Sequence, residues 1–232
     1  MDIYKQFQPV TWYIGVVEAS LYAVAESIQP RYIPNDKLKD IRHETSTVDK
    51  ALAIMEPLGP PHGKFLLIKT RDGRTAIFTN TLFEVVELPT WNAAEDLGVS
   101  GYYVCRVPNT ISRDQISGAY GGRKLEFRTP ETPFNQEPKF GIHLINDAGR
   151  WYFYRYGEKR SFEDEQAYKV FRKRDRFTVE MLVKYCRELG IPVYDKAWYS
   201  NKCIIIERNL RPNEQGISYQ EAAVKFRIKQ DM

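Results

Sequence analysis

The chain has 232 residues, of which 43% are hydrophobic and 28% charged. That balance supports a packed core, in one large domain or two small ones, and excludes a globally disordered chain. The formal net charge is only +4, too diffuse for the dense basic stripe of a dedicated nucleic-acid domain.

The charge is uneven. Residues 1–138 hold 15 Lys+Arg against 17 Asp+Glu, and residues 139–232 hold 19 against 13, so the balance runs from −2 to +6. Cys105, Cys186 and Cys203 are odd in number and widely spaced, with no CxxC and no nearby Cys–His pair. Neither a disulfide framework nor a zinc site is expected, and reduced thiols follow. No cofactor or metal is expected. The N-terminus MDIYKQFQPV lacks the charged and apolar regions of a signal peptide. Glu18 and Glu26 interrupt the most apolar segment, residues 12–28. The expectation is a soluble, cytoplasmic protein that does not use the membrane.

Residues 11–29 predict the first helix, because Ile14, Val17, Leu21, Val24 and Ile28 recur at spacings of 3 and 4. Pro30 ends it. The stripe over residues 14–28 is also a candidate seam between two copies of the chain. Residues 46–56 predict a second helix, with Ser46 as N-cap and Asp49 three residues on. LGPPHG (58–63) then breaks the pattern.

KFLLIKTRDGRTAIFTN (64–80) places Asp72-Gly73 between two strand-like runs and predicts a hairpin. FEVVEL (83–88) and GYYVCRV (101–107) read as strands, with a short helix over WNAAEDLG (91–98) closed by Gly98. TPETPFNQEP (129–138) carries three prolines and reads as a linker or surface loop.

FGIHLI, NDAG and RWYFYRY (140–156) repeat the strand–turn–strand logic. Each hairpin is followed by a helical stretch ending in Leu-Gly, at Leu97-Gly98 and Leu189-Gly190, which raises an internal duplication. Residues 161–174 predict a helix with acids first and cations last, the order that suits the helix dipole. Thr178 caps a helix over 177–190, NKCIIIER (201–208) reads as a buried strand, and Ser218 with Glu221 forms a capping box. The class is α+β: N-terminal helices (1–57), then mainly antiparallel sheet built from hairpins (62–128), then an α+β segment (139–232), with helices packed on one face.

No phosphate loop GxxxxGK[ST], no GxGxxG and no GxSxG occurs. The nearest anion-binding candidate is Gly121-Gly122-Arg123-Lys124, where backbone N–H groups and two cations could converge. His43, His62 and His143 have no metal-like spacing. Cys105 and His143 would form a nucleophilic pair only if the fold brought them together, near the Gly121-Gly122-Arg123 loop. That defines an alternative reading, an enzyme with a dispersed active site.

GRWYFYRYGEKR (149–160) is the most distinctive stretch. Period-2 alternation sends Trp151, Phe153 and Arg155 one way and Tyr152, Tyr154 and Tyr156 the other. With Arg172 and Arg174 downstream, the tyrosine stripe is the candidate contact for another protein, since interface hot spots are rich in Tyr, Trp and Arg. An RNA-recognition strand needs small residues between its aromatics, and here Gly is followed by Arg-Trp-Tyr-Phe-Tyr. The leading expectation is therefore a non-catalytic protein-binding module, of a bacterial inhibitor or immunity kind. The second alternative is single-stranded nucleic-acid binding by the basic second half.

Overall fold

The computed structural model describes residues 2–59, 63–83, 86–114, 116–132 and 136–229. The core of LGPPHG with His62, the centre of FEVVEL and the centre of the 129–138 segment lie outside the described residues. The strands are β1 (Tyr13–Val17), β2 (Leu38–Thr45), β3 (Lys64–Thr70), β4 (Thr75–Thr79), β5 (Gly101–Val107), β6 (Gly122–Arg128), β7 (Phe140–Asp147), β8 (Arg150–Gly157) and β9 (Tyr199–Arg208). They form one sheet in the order β2-β9-β3-β4-β1-β5-β6-β7-β8, with every neighbour antiparallel. The protein is thus α+β with a large antiparallel sheet. All three sequence segments feed it: β2 from residues 1–57 pairs with β9 from residues 139–232.

The helices are α1 (Leu21–Tyr32), α2 (Val48–Ala53), α3 (Glu87–Leu97), α4 (Val179–Glu188) and α5 (Tyr219–Lys225). They cover both faces of the sheet, not one, because the central strands are apolar on both sides. In β3, Phe65 and Leu67 join a core with α1 and α3, while Leu66 and Ile68 join a larger core with α2, α4, α5 and residues 3–12. Such strands cannot leave either face to water. The α1/α3 side is the upper face of the sheet.

The 11–29 segment is not one helix. Residues 13–17 are the central strand β1, and Ser20 caps α1 by accepting from the Ala23 N–H. The apolar run was long enough to serve a strand and then a helix, and its 3/4 spacing spans both. α1 also continues past Pro30 to Tyr32. The stripe offered as a seam between copies is buried within the chain: Ile14 and Val17 in the sheet, Leu21, Val24 and Ile28 beneath α1. The 161–174 segment forms only 3-10 turns, Ala167–Lys169 and Lys173–Asp175. Val86 stands at the N-cap of α3, so Glu87 and Leu88 are helical and not strand. α2 starts after Thr47 and not after Ser46.

The two hairpins and the two capped helices form as the sequence predicts. The Asp72-Gly73 turn joins β3 to β4, and Ala148 and Gly149, both at positive φ, join β7 to β8. One hairpin lies mid-sheet and the other ends it, so they do not occupy equivalent places. Thr178 Oγ1 accepts from the Met181 N–H, and Ser218 and Glu221 complete the capping box. Among the described residues no helix is long and apolar enough to cross a membrane.

α3 sits directly on β1 and β5. A Cβ on Gly15 would overlap Thr90 Oγ1, and one on Gly101 would lie 3.1 Å from both Ala94 Cβ and Trp91. Glycine is needed there for close approach. Gly15→Ala is expected to lower stability by about 1–3 kcal/mol, as overpacking does, measured by urea denaturation. A change within about 0.5 kcal/mol would show that α3 can lift away at little cost.

Candidate functional site

On the upper face α1 and α3 lie over β9, β3, β1 and β5. Beyond β5 the side chains of β6, β7 and β8 finish this surface themselves. Register defines two rows across it. One runs Cys105, Lys124, His143, Tyr154, and the next Tyr103, Glu126, Gly141, Tyr156. Side chains in a row share a face, because each pair is directly opposite.

The second row carries a buried polar cluster. The Glu126 side chain is only 4% exposed and its Oε1 lies 2.5 Å from His143 Nε2. The Tyr156 hydroxyl lies 2.7 Å from His143 Nδ1. Tyr156 reaches this position because Gly141 has no side chain: a Cβ there would overlap the Tyr156 ring. Burial, with Glu126 beside it, pushes the Tyr156 phenol well above its ordinary range, so it stays protonated. Arg128 Nε is 3.8 Å from Glu126 Oε2 and its guanidinium stands over the Trp91 ring. Lys124 pairs with Glu87 at the start of α3. This Glu–His–Tyr arrangement fixes the orientation of the two rings. A glutamate with no apolar periodicity, on a strand of unknown register, gave the sequence no signal for it. The Gly141–Tyr156 pairing was the one readable clue.

The enzyme-like grouping is not assembled. Cys105 and His143 both flank Lys124, so two strand spacings separate them, roughly 10 Å between Cα atoms. All three cysteines are buried and none is in a disulfide. Burial raises the Cys186 and Cys203 thiols, the latter to about 11, away from reactive thiolate.

The proposed anion loop also comes apart. The Gly121 N–H donates to Asn109 Oδ1 at 3.0 Å, and the Gly121 carbonyl accepts from Asn146. Gly122, Arg123 and Lys124 are strand residues, so the two cations leave on opposite faces. Lys124 stays above. Arg123 turns below, where its Nη2 donates to the Arg174 carbonyl.

The tyrosine stripe divides by exposure. Tyr156 is tied into the Glu126–His143 cluster. Tyr154 is 50% exposed and lies parallel to Tyr152, with ring centroids 6.4 Å apart. Arg150 and Lys173 stand within 5.3 and 5.7 Å of the Tyr152 ring centroid. Trp151 and Phe153 pack on the lower core. Arg172 and Arg174 are exposed on either side of Lys173, whose turn lies against β8. The residue before them, Phe171, carries no motif or periodic signal in the sequence, and it is 96% exposed. From Lys169 to Arg176 five cations surround it against one acid, Asp175.

A buried ion pair holds this surface in place. Arg155 Nε and Nη2 donate to the two Glu163 oxygens at 2.9 and 2.6 Å, and the Arg160 N–H donates to Glu163 as well. Burial alone would raise the Glu163 carboxyl, but these donors outweigh it and keep it below the usual carboxylate range. Its stabilising contribution is therefore complete above the unfolded value of about 4.3 and disappears as pH falls through the lower folded value. Glu163→Gln is expected to cost roughly 2 kcal/mol at pH 7, less than the ~3–5 of a fully buried pair. Denaturation between pH 7 and pH 3 should show the wild type losing more stability than the variant. Parallel losses would remove Glu163 from the acid response.

No protein-family model, no curated protein sequence and no solved structure matches the chain.

Proposed function

We propose that the chain is a non-catalytic protein-binding module, of the inhibitor or immunity kind, that holds an acidic partner on β8 and the 169–176 segment. One observation carries the reading. The most exposed aromatic side chain described, Phe171 at 96%, belongs to the densest basic run, whose Lys173–Asp175 turn lies against β8, the strand that carries the half-exposed Tyr154. Exposing a phenylalanine this fully costs burial energy that a monomer would otherwise gain, about 1.5–3 kcal/mol. Aromatic and arginine side chains together are the composition of interface hot spots. The surrounding cations select an acidic surface and speed its approach.

The reading assigns Tyr154 and Phe171 as anchors, Tyr152 as the ring that steadies Tyr154, and Arg172 and Arg174 as the charged rim. Tyr156 supports the stripe from below and makes no contact with the partner. The separation of Cys105 from His143 by Lys124 favours binding over nucleophilic chemistry.

Affinity capture from an extract of the encoding organism tests the reading, with wild type, Tyr154→Ala and Phe171→Ala as baits. A protein held by wild type is expected to bind each variant at least tenfold more weakly in calorimetry, about 1.4 kcal/mol, with unchanged variant stability. A partner held equally by all three baits would overturn the site. A salt-sensitive shift of a single-stranded oligonucleotide without protein capture would overturn the partner class.

A further inference from the structure

The sheet ends in two edge strands, β2 and β8, and they are built differently. An edge strand presents unpaired N–H and C=O groups that another chain can pair with, and proteins usually blunt it. β2 is blunted. Lys39, Asp40, Arg42 and Glu44 make it charged, and its register slips between Leu38 and Asp40. β8 carries only Arg150 and Arg155 as charges and has no slip of register. All eight of its residues pair in continuous register with β7, and five of them are aromatic. It contains no proline and no bulge.

The direction of each β8 backbone group follows from the hairpin. Ala148 and Gly149 form a two-residue turn, so the closing pair Asp147–Arg150 is hydrogen-bonded. The bonded pairs then recur every second residue, and the Glu158 N–H bond to the Lys139 carbonyl at 2.8 Å continues that phase. The backbone groups of Tyr152, Tyr154 and Tyr156 therefore face β7. Those of Trp151, Phe153 and Arg155 face outward, and among the described residues they make no backbone hydrogen bond to the rest of the chain. Part of the following segment packs beneath the sheet, where Phe162 contacts Phe140 and Tyr185 and Tyr168 contacts Phe153. The Lys173–Asp175 turn lies against β8 and brings Lys173 within 5.7 Å of the Tyr152 ring centroid, without a backbone hydrogen bond to Trp151, Phe153 or Arg155.

Resting on the protein-partner reading above, we infer that the partner supplies an extended acidic segment that adds to β8 as a tenth strand. Three outward residues offer three N–H donors and three carbonyl acceptors, the ladder that strand addition uses for affinity. Charge selects the occupant. A second copy of this chain would bring another Lys169–Arg176 segment, five cations against one acid, alongside the first. Like charges so placed disfavour self-pairing. A strand with carboxylates on alternate residues would face Arg150, Arg172, Lys173 and Arg174 instead.

The test uses the full chain and three fluorescent eight-residue peptides: alternating Glu-Val, alternating Lys-Val, and Glu-Val N-methylated at alternate amides. Anisotropy at low ionic strength is expected to show binding of the Glu-Val peptide, weakened tenfold or more in the other two. Hydrogen exchange should slow tenfold or more at the Trp151, Phe153 and Arg155 amides on binding, with little change at Tyr152 and Tyr154. Equal binding of the N-methylated peptide, or no slowing of those amides, overturns strand addition while leaving the partner reading to its own Tyr154→Ala test. Binding of none of the peptides also overturns it, as does a concentration-dependent dimer of the chain in sedimentation. Loss of Tyr154→Ala sensitivity in the captured partner would instead remove the underlying reading.

Discussion

The seat of α3 on Gly15 and Gly101 sets where the rest of the upper face can go. Two missing side chains let the helix lie against β1 and β5. α1 then packs beside α3 and covers β3 and β9. Two helices of 12 and 11 residues cannot also reach across β6, β7 and β8. The outer strands must cover their own upper surface. Tyr156 does so by lying over Gly141, and Glu126 does so by pairing with His143. The half-exposed Tyr154 is where that self-covering ends.

The lower face obeys the same constraint with a different answer. Here residues 3–12, α2, α4 and α5 close most of the surface. Beneath β8 the cover is irregular chain, and it is held by aromatic contacts and by the Arg155–Glu163 fork. A chain fixed by side chains and not by helix geometry can turn Phe171 and its cations outward. The exposed patch follows from the sheet having one strand too many for regular helical cover.

How legible this was in the sequence depends on how local each cause is. Asp72-Gly73 and Ala148-Gly149 carry their turn chemistry within two residues, so both hairpins could be read. Thr178 and Ser218 bond within three residues, so both caps could be read. β1 reads as helix because YIGVV is buried on both faces, which erases the period of 2. β2 went unread because LKDIRHET is a charged edge strand with no apolar alternation. The acids and cations of 161–174 matched a helix dipole, but Phe162 and Tyr168 are placed by the rings they meet across the fold. The Glu126–His143 contact depends on the register of two strands 17 residues apart, which no local pattern fixes.

Register also separates residues that are neighbours in sequence. Arg123 and Lys124 looked like one cationic pair, yet the pleat sends one to the Arg174 carbonyl below and the other to Glu87 above. Tyr152, Tyr154 and Tyr156 looked like one stripe, and they do share a face. Their environments still differ, because the cross-strand neighbour differs: Ile145 for Tyr152, His143 for Tyr154, Gly141 for Tyr156. Glycine admits a ring and buries it, whereas histidine fills its own place and leaves the opposing tyrosine raised. A contact surface was therefore readable from alternation as a face, but which tyrosine stands free on it is decided by the strand alongside.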